Sequence, residues 1–205
     1  MQNYQNKWRK YIMPKMKFRY SVMNSGKTLQ LLAVAHNYEE LGHDIKILTP
    51  SIDTRSDIDE VASRVGLSHK ATPVYPQDDI KDIVTDRKYA CILVDECEFL
   101  QPKQVKELSE YVDEYDVPVI AYGLKNDFQN NLFPASEAFL IYADEVEEIV
   151  TICSFCSKKA IMNARVVDGK RITTGDQVVI GGNESYIPVC RKCYNSMPVY
   201  DNEKS

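Results

Sequence analysis

The chain has 205 residues, 44% of them hydrophobic and 27% charged, an ordinary globular composition with room for one sizeable core and a small satellite lobe. The net charge of −5 excludes a chain built as a whole to coat nucleic acid or an anionic membrane. The sequence has no apolar run approaching the roughly 18 residues of a membrane-spanning helix. Its first residues are basic but lack the apolar stretch of a secretory signal. Both features point to the cytoplasm, where cysteines are thiols or metal ligands rather than disulfides.

Residues 1–14 are polar and basic without periodicity and are expected to form a flexible tail. Lys17–Ser21 reads as a short strand. Gly26 then opens an amphipathic helix spanning Leu29, Leu32, Ala33, His36 and Tyr38–Leu41, with Gly42 as its C-terminal stop. Ile45–Leu48 reads as the next strand. Residues 50–72 are polar and charged with no sustained apolar face, which predicts a long mobile functional loop. A short helical patch follows at Ile80–Val84. Tyr89–Val94 is a continuous apolar run ending in Asp95 and Glu96, the pattern of a strand buried on both faces of a parallel sheet. Helical spacing through Val105, Leu108 and Val112 predicts a helix over Gln101–Tyr115. Val117–Tyr122 reads as another buried strand, stopped by Gly123. Alternating strands and helices predict an α/β fold with a mostly parallel sheet covered by helices. Near Thr151 the pattern changes to short β-like runs, glycine turns and paired cysteines, with no long helix. The expected organisation is a tail (1–14), an α/β domain (15–150) and a small β lobe (151–205).

Three motifs carry chemistry. Residues 21–28, Ser-Val-Met-Asn-Ser-Gly-Lys-Thr, follow the phosphate-loop pattern with its first glycine replaced by Ser21. Such a loop turns backbone N–H groups toward phosphate oxygens. Gly26 lets the backbone approach the anion, Lys27 reaches the β- and γ-phosphates, and the Thr28 hydroxyl ligates Mg²⁺. The helix N-terminus adds partial positive charge. A Gly-Lys-Thr tripeptide also arises by chance; the strand before it and the amphipathic helix after it give it weight. The second motif is the apolar strand ending in Asp95 with Glu96 next to it. This offers one carboxylate to the metal shell and a neighbour to an acceptor hydroxyl. Alone, such a pair would be read as solvated strand-end charges. The third motif is two Cys-x-x-Cys pairs, Cys153/Cys156 and Cys190/Cys193, with residues 157–189 between them. Four thiolates form a closed tetrahedral cage for a structural Zn²⁺. The long spacer implies an inserted loop. Cys91 and Cys97 read as core and strand-end residues rather than ligands.

Taken together, these motifs resemble the type II thymidine kinases of bacteria. The resemblance rests on the phosphate loop with its preceding Tyr20, on Asp53-Thr-Arg, on Val-Asp-Glu-Cys-Glu-Phe (94–99) and on Tyr-Gly-Leu-Lys-Asn-Asp-Phe (122–128). It also rests on Ile-Cys-Ser-Phe-Cys (152–156), Val-Val-Ile-Gly-Gly-Asn-Glu-Ser-Tyr (178–186) and Cys-Arg-Lys-Cys-Tyr (190–194), and it covers about residues 16–194. It implies a P-loop NTPase-like domain with a zinc-ribbon-like lobe. The implied reaction transfers the ATP γ-phosphate to the 5′-hydroxyl of thymidine, and of deoxyuridine, in nucleotide salvage. Glu96 would be the catalytic base and Asp95 the Mg²⁺-associated acid. Ser21, Val22, Met23, Asn24, Ser25, Gly26, Lys27 and Thr28 would hold the ATP phosphates. Met23, Phe99, Leu124, Phe128 and Phe133 would surround the nucleoside. Val178, Val179, Ile180, Gly181 and Gly182 would form a lasso reading the thymine edge through its backbone, closed by Tyr186. Zinc on Cys153, Cys156, Cys190 and Cys193 would pin both ends of that loop. The resemblance further implies a homotetramer and dTTP as a feedback ligand, with neither nucleic acid nor membrane as partner.

Two other readings compete. A P-loop ATPase could grip nucleic acid through its zinc ribbon, using Lys158, Lys159, Arg165, Lys170, Arg171, Arg191 and Lys192. The acidic overall balance and the scarcity of aromatics among those charges weigh against it. A nucleoside monophosphate kinase would need an arginine-rich lid, whereas 50–72 offers only Arg55 and Arg64.

Overall fold

The computed structural model describes residues 15–51, 59–84, 89–177 and 185–200; the expected tail lies outside them. In chain order the first elements are β1 (Met16–Ser21), α1 (Lys27–Glu40), β2 (Ile45–Pro50), β3 (Glu60–Ala62), β4 (Ser68–Lys70), β5 (Thr72–Val74) and α2 (Ile80–Ile83). Then come β6 (Cys91–Val94), a 3₁₀ turn at Cys97–Phe99, α3 (Pro102–Tyr115), β7 (Val119–Leu124), α4 (Pro134–Tyr142) and β8 (Glu145–Glu148). The remainder is β9 (Met162–Val167), β10 (Lys170–Arg171), β11 (Ser185–Val189) and α5 (Arg191–Ser196).

Six strands form one sheet in the order β5-β2-β6-β7-β1-β8, and every neighbouring pair is parallel. Its two faces are separate cores, as a parallel sheet covered on both sides requires. In β6, Ile92 and Val94 join Phe18, Leu108, Val112 and Phe139 on one face, where α3 and α4 pack. Cys91 and Leu93 join Leu31, Leu32, Ile120 and Tyr122 on the other, under α1. The register sets Ser21 beside Leu124 and Leu48 beside Val94, so the loops leaving β1, β6 and β7 emerge at one edge.

The fold corrects several expectations. The buried stripe of α1 is Leu31, Leu32 and Ala35, with Val34 and Tyr38 partly buried against the same core. Leu29, Ala33 and His36 are exposed. The first turns of α1 are apolar almost all round, so two neighbouring stripes satisfy the helical period, and contact with the sheet selects one of them. The helix ends with the His43 N–H on the Tyr38 carbonyl and the Gly42 N–H on the Glu39 carbonyl. Gly42, at φ 74°, is thus the left-handed residue of a Schellman ending.

Residues 50–72 hold strands as well as loop. β3 and β4 make an antiparallel hairpin, closed by Ser63 N–H to the Leu67 carbonyl at 2.7 Å and held to α1 by His69 Nε2 and Glu39 Oε1 at 2.8 Å. Only Val61 of its strands is fully buried, which leaves little apolar pattern to read. β7 begins later than expected and passes through Gly123. A Cβ there would lie 2.5 Å from Glu98 Oε2 and 2.6 Å from Cys97 Sγ, so this glycine serves close approach rather than strand termination. The sequence reading missed α4 and β8. β8 is an acidic edge strand, held to β1 by Lys15 and Lys17 on Glu145 and by Arg19 on Glu147.

A second sheet, β10-β9-β11, is antiparallel and packs Ala164 and Val189 with Tyr194 of α5. Among the described residues, no helix is long and apolar enough to cross a membrane.

Candidate active site

The loop after β1 is fastened where it starts. The Ser21 hydroxyl donates to the Ile149 carbonyl just beyond β8, so the serine that replaces the first glycine of the motif makes a specific tie. Asn24 and Gly26 take left-handed conformations at φ 59° and 78°. The left-handed φ favours glycine at Gly26, where a Cβ would meet no other described protein atom within 4 Å. α1 then starts at Lys27 and points its free N–H groups into the cleft. Lys27 Nζ donates to the Val22 carbonyl at 3.0 Å. Burial lowers its pKa, against the opposing pull of Glu98 and Asp95.

Asp95 ends β6 across the cleft, and Thr28 Oγ1 donates to its Oδ2 at 2.9 Å. Among the described residues, Asp95 Oδ1 and Ser25 Oγ are buried with no hydrogen-bond partner, a cost that a bound group would remove. A phosphate at the N-terminus of α1 and a divalent cation between Thr28 and Asp95 fit this donor set. The cleft measures about 400 Å³ and is lined by Gly26, Lys27, Thr28, Arg64, Asp95 and Glu96 among others.

Glu96 stands at φ 47° and ψ 39°. Its side chain meets solvent in the cleft, yet the protein crowded around the carboxyl raises its pKa, and Asp95 adds to the rise. Glu98 is buried, and its Oε2 has no hydrogen-bond partner among the described residues. Burial first, with Lys27 opposing and Glu96 reinforcing, pushes its pKa up to about 8.

A second cavity of about 180 Å³ adjoins the cleft, and Met23, Phe99, Leu124, Phe128, Phe133 and Tyr186 line it. Phe99 and Phe133 meet edge to face at 5.7 Å, and Phe128 and Tyr186 at 6.5 Å. Met23, Glu96, Glu98 and Leu124 border both spaces. Glu96 therefore stands between an anion cradle and an aromatic slot.

In the lobe, the sulfurs of Cys153, Cys156, Cys190 and Cys193 all lie within 4.8 Å of one another. Cys156 is 3.7 Å from both Cys190 and Cys193. Sulfurs at tetrahedral corners about 2.3 Å from one zinc ion would lie about 3.8 Å apart, so this donor set fits Zn²⁺.

The sequence profile of the thymidine kinases matches residues 14–194. The chain is 50% identical to the thymidine kinase of Enterococcus faecalis over 184 residues, 89% of this chain and 95% of that protein. It is 50% identical to the thymidine kinase of Listeria monocytogenes over 190 residues, 91% and 100% of the two chains. The Lactiplantibacillus plantarum thymidine kinase is 52% identical over 184 residues, covering 89% and 96%. The chain belongs to the thymidine kinase family.

Every described residue that the thymidine kinase resemblance assigned to the nucleoside borders the second cavity. Residues Val178, Val179, Ile180, Gly181 and Gly182 lie outside the described residues. Sequence reading did not find Asn163, Asp127 and Gln177, which also line the cavity. Asp127 sits inside a motif read for its neighbour Phe128. Gln177 Nε2 donates to Asp127 Oδ2 at 2.9 Å, a contact no local pattern announces.

Proposed function

We propose that this thymidine kinase transfers the γ-phosphate of ATP to the 5′-hydroxyl of thymidine, and of deoxyuridine, giving the monophosphate in cytoplasmic nucleotide salvage. The observation that carries this reading is the position of Glu96 between the anion cleft and the aromatic cavity. A nucleoside whose base lies among Phe99, Phe128, Phe133 and Leu124 would present its 5′ end to Glu96. The Glu96 carboxylate accepts the hydroxyl proton as the oxygen attacks the γ-phosphorus and the bond from that phosphorus to the β,γ-bridging oxygen breaks, releasing ADP. The loop amides after Met23, as far as Thr28, orient the phosphates, and Lys27 leaves the Val22 carbonyl to meet the charge that develops on them. Thr28 and Asp95 would hold Mg²⁺, which would supply further neutralisation of the phosphate oxygens. Phosphoryl transfer asks mainly for this positioning and charge balance.

The finer parts of the proposal are of one piece with it. Residues 15–150 act as the kinase domain and 151–205 as the zinc lobe. The four cysteines would hold a structural Zn²⁺, and residues 178–182 with Tyr186 would recognise the thymine. Exposed Leu140, Ile141 and Tyr142 on α4 with Val146 on β8 support assembly into a homotetramer, and dTTP serves as feedback ligand. The deciding experiment supplies the purified protein with ATP, Mg²⁺ and either thymidine or thymidylate, with and without DNA. Thymidine should be phosphorylated, thymidylate should not, and DNA should change neither rate. Turnover of thymidylate, or ATP hydrolysis that depends on DNA, would replace this reading.

A further inference from the structure

We infer that Asn163 is a positioning residue that fixes the phosphate loop against the nucleoside cavity; the inference rests on the two-pocket reading above. Asn163 lies on β9 and is 1% exposed. Both ends of its amide are engaged. Oδ1 accepts from the Met23 N–H of the phosphate loop at 2.8 Å. Nδ2 donates to the Asn126 carbonyl at 3.1 Å, in the turn that leads to Asp127 and Phe128. The two partners settle the amide's orientation, since one can only donate and the other only accept.

One side chain of the lobe thus joins two segments of the sheet domain that share no ladder bond at that point. Met23 borders both cavities, so fixing its backbone fixes the wall between them. The same contact withdraws the Met23 N–H from the phosphate cradle and leaves the cradle to later amides of the loop. A longer contact, Asn24 Nδ2 to the Tyr186 carbonyl at 3.5 Å, ties the next residue to the same lobe. Without the Asn163 amide, the Met23 N–H and the Asn126 carbonyl lose the bonds it makes to them; the aromatic walls of the second cavity and the cleft stay in place, but their mutual placement loosens. Reacting groups misplaced by about 1 Å cost on the order of 10²-fold in rate.

The test is N163L, similar in size and without hydrogen bonds. kcat should fall about 10- to 100-fold while the KM values for ATP and thymidine each stay within about threefold, the pattern of lost alignment rather than lost binding. Amide exchange of Met23 should be slow in the unsubstituted enzyme and at least about tenfold faster in N163L. Loss of Met23 protection in N163L would support the strut even if thymidine proved not to be the acceptor, which keeps the two claims separable. Unchanged kcat in a folded N163L, or a Met23 amide that already exchanges freely in the unsubstituted protein, would overturn it. The second measurement decides even if N163L does not fold.

Discussion

Glu96 occupies a left-handed conformation at φ 47°, which costs a residue with a Cβ about 1 kcal/mol or more. The end of β6 on one side and the 3₁₀ turn on the other hold it there, which aims the carboxylate between the two pockets. Glu96→Gln keeps the shape but cannot accept a proton. Its kcat should fall about 10²- to 10⁴-fold with KM for thymidine nearly unchanged; steady-state kinetics showing a raised KM and intact kcat would make Glu96 a binding residue. Glu98 makes a different prediction. Its folded pKa of about 8 is above that of an unfolded glutamate, so the folded chain binds this proton more tightly. Unfolding free energy therefore falls as pH rises from about 4.5 to about 8, and the penalty is complete above that window. Glu98→Gln removes the ionisation and should flatten that slope. At pH 9 it should stabilise the fold by on the order of a few kcal/mol, less whatever Lys27 loses with its counter-charge. Urea unfolding at pH 5, 7 and 9 measures this, and parallel slopes for the two proteins would contradict it. At this scale the sequence announces residues whose neighbours along the chain complete a motif, such as Lys27 with Thr28 or Asp95 with Glu96. Asn163 could not be read that way, because its partners Met23 and Asn126 come from other elements and only the fold brings them to it.

The strands and helices that position the site hold one another through specific ties. The Gln101 N–H at the start of α3 donates to Gln104 Oε1 at 2.9 Å. Gln104 Nε2 in turn donates to the carbonyls of Tyr75 and Asp78, so one buried amide both caps the helix and anchors the segment after β5. β7 presses against the 3₁₀ turn so closely that Gly123 leaves no space for a side chain. Gly123→Ala should therefore push Glu98 and Cys97 out of place, destabilising the protein by about 1–3 kcal/mol and lowering turnover together with it. A melting temperature equal to that of the unsubstituted protein would show that the turn yields without cost. Buried strands such as Cys91–Val94 were legible because an unbroken apolar run suits only a strand covered on both faces. The β3–β4 hairpin and β8 were not. Apart from buried Val61, their residues face solvent or polar partners, and pairing with β1 rather than hydrophobic period makes Glu145–Glu148 a strand.

For the molecule as a whole, the lobe and the sheet domain meet at the site. Tyr194 of α5 donates its hydroxyl to the Phe128 carbonyl, and Arg165 of β9 lies over the Phe128 ring at 5.0 Å. The Phe128 wall of the second cavity is thus supported from the lobe that carries the cysteine cluster. Cys153→Ser or Cys190→Ser should lose zinc and, with it, thymidine binding, since metal affinity is folding energy for a small lobe. Metal analysis paired with thymidine titration tests this; an active enzyme without zinc would contradict it. The lobe was legible from cysteine spacing, while its packing onto the sheet domain was not. The strand order has a consequence for the chain as it is made. β1 pairs with β7 and β8, which follow it by roughly a hundred residues or more, so contact order is high and closure late. A ribosome finishes α1, β2 and β6 while Phe18 still lacks its stacking partner Phe139. Through much of synthesis the nascent chain therefore carries an unpaired strand whose Met16 and Phe18 lack part of their core. A chain released before residue 119 has neither β7 nor β8 to pair with β1, so the strand that leads into the phosphate loop has no neighbour to fix it.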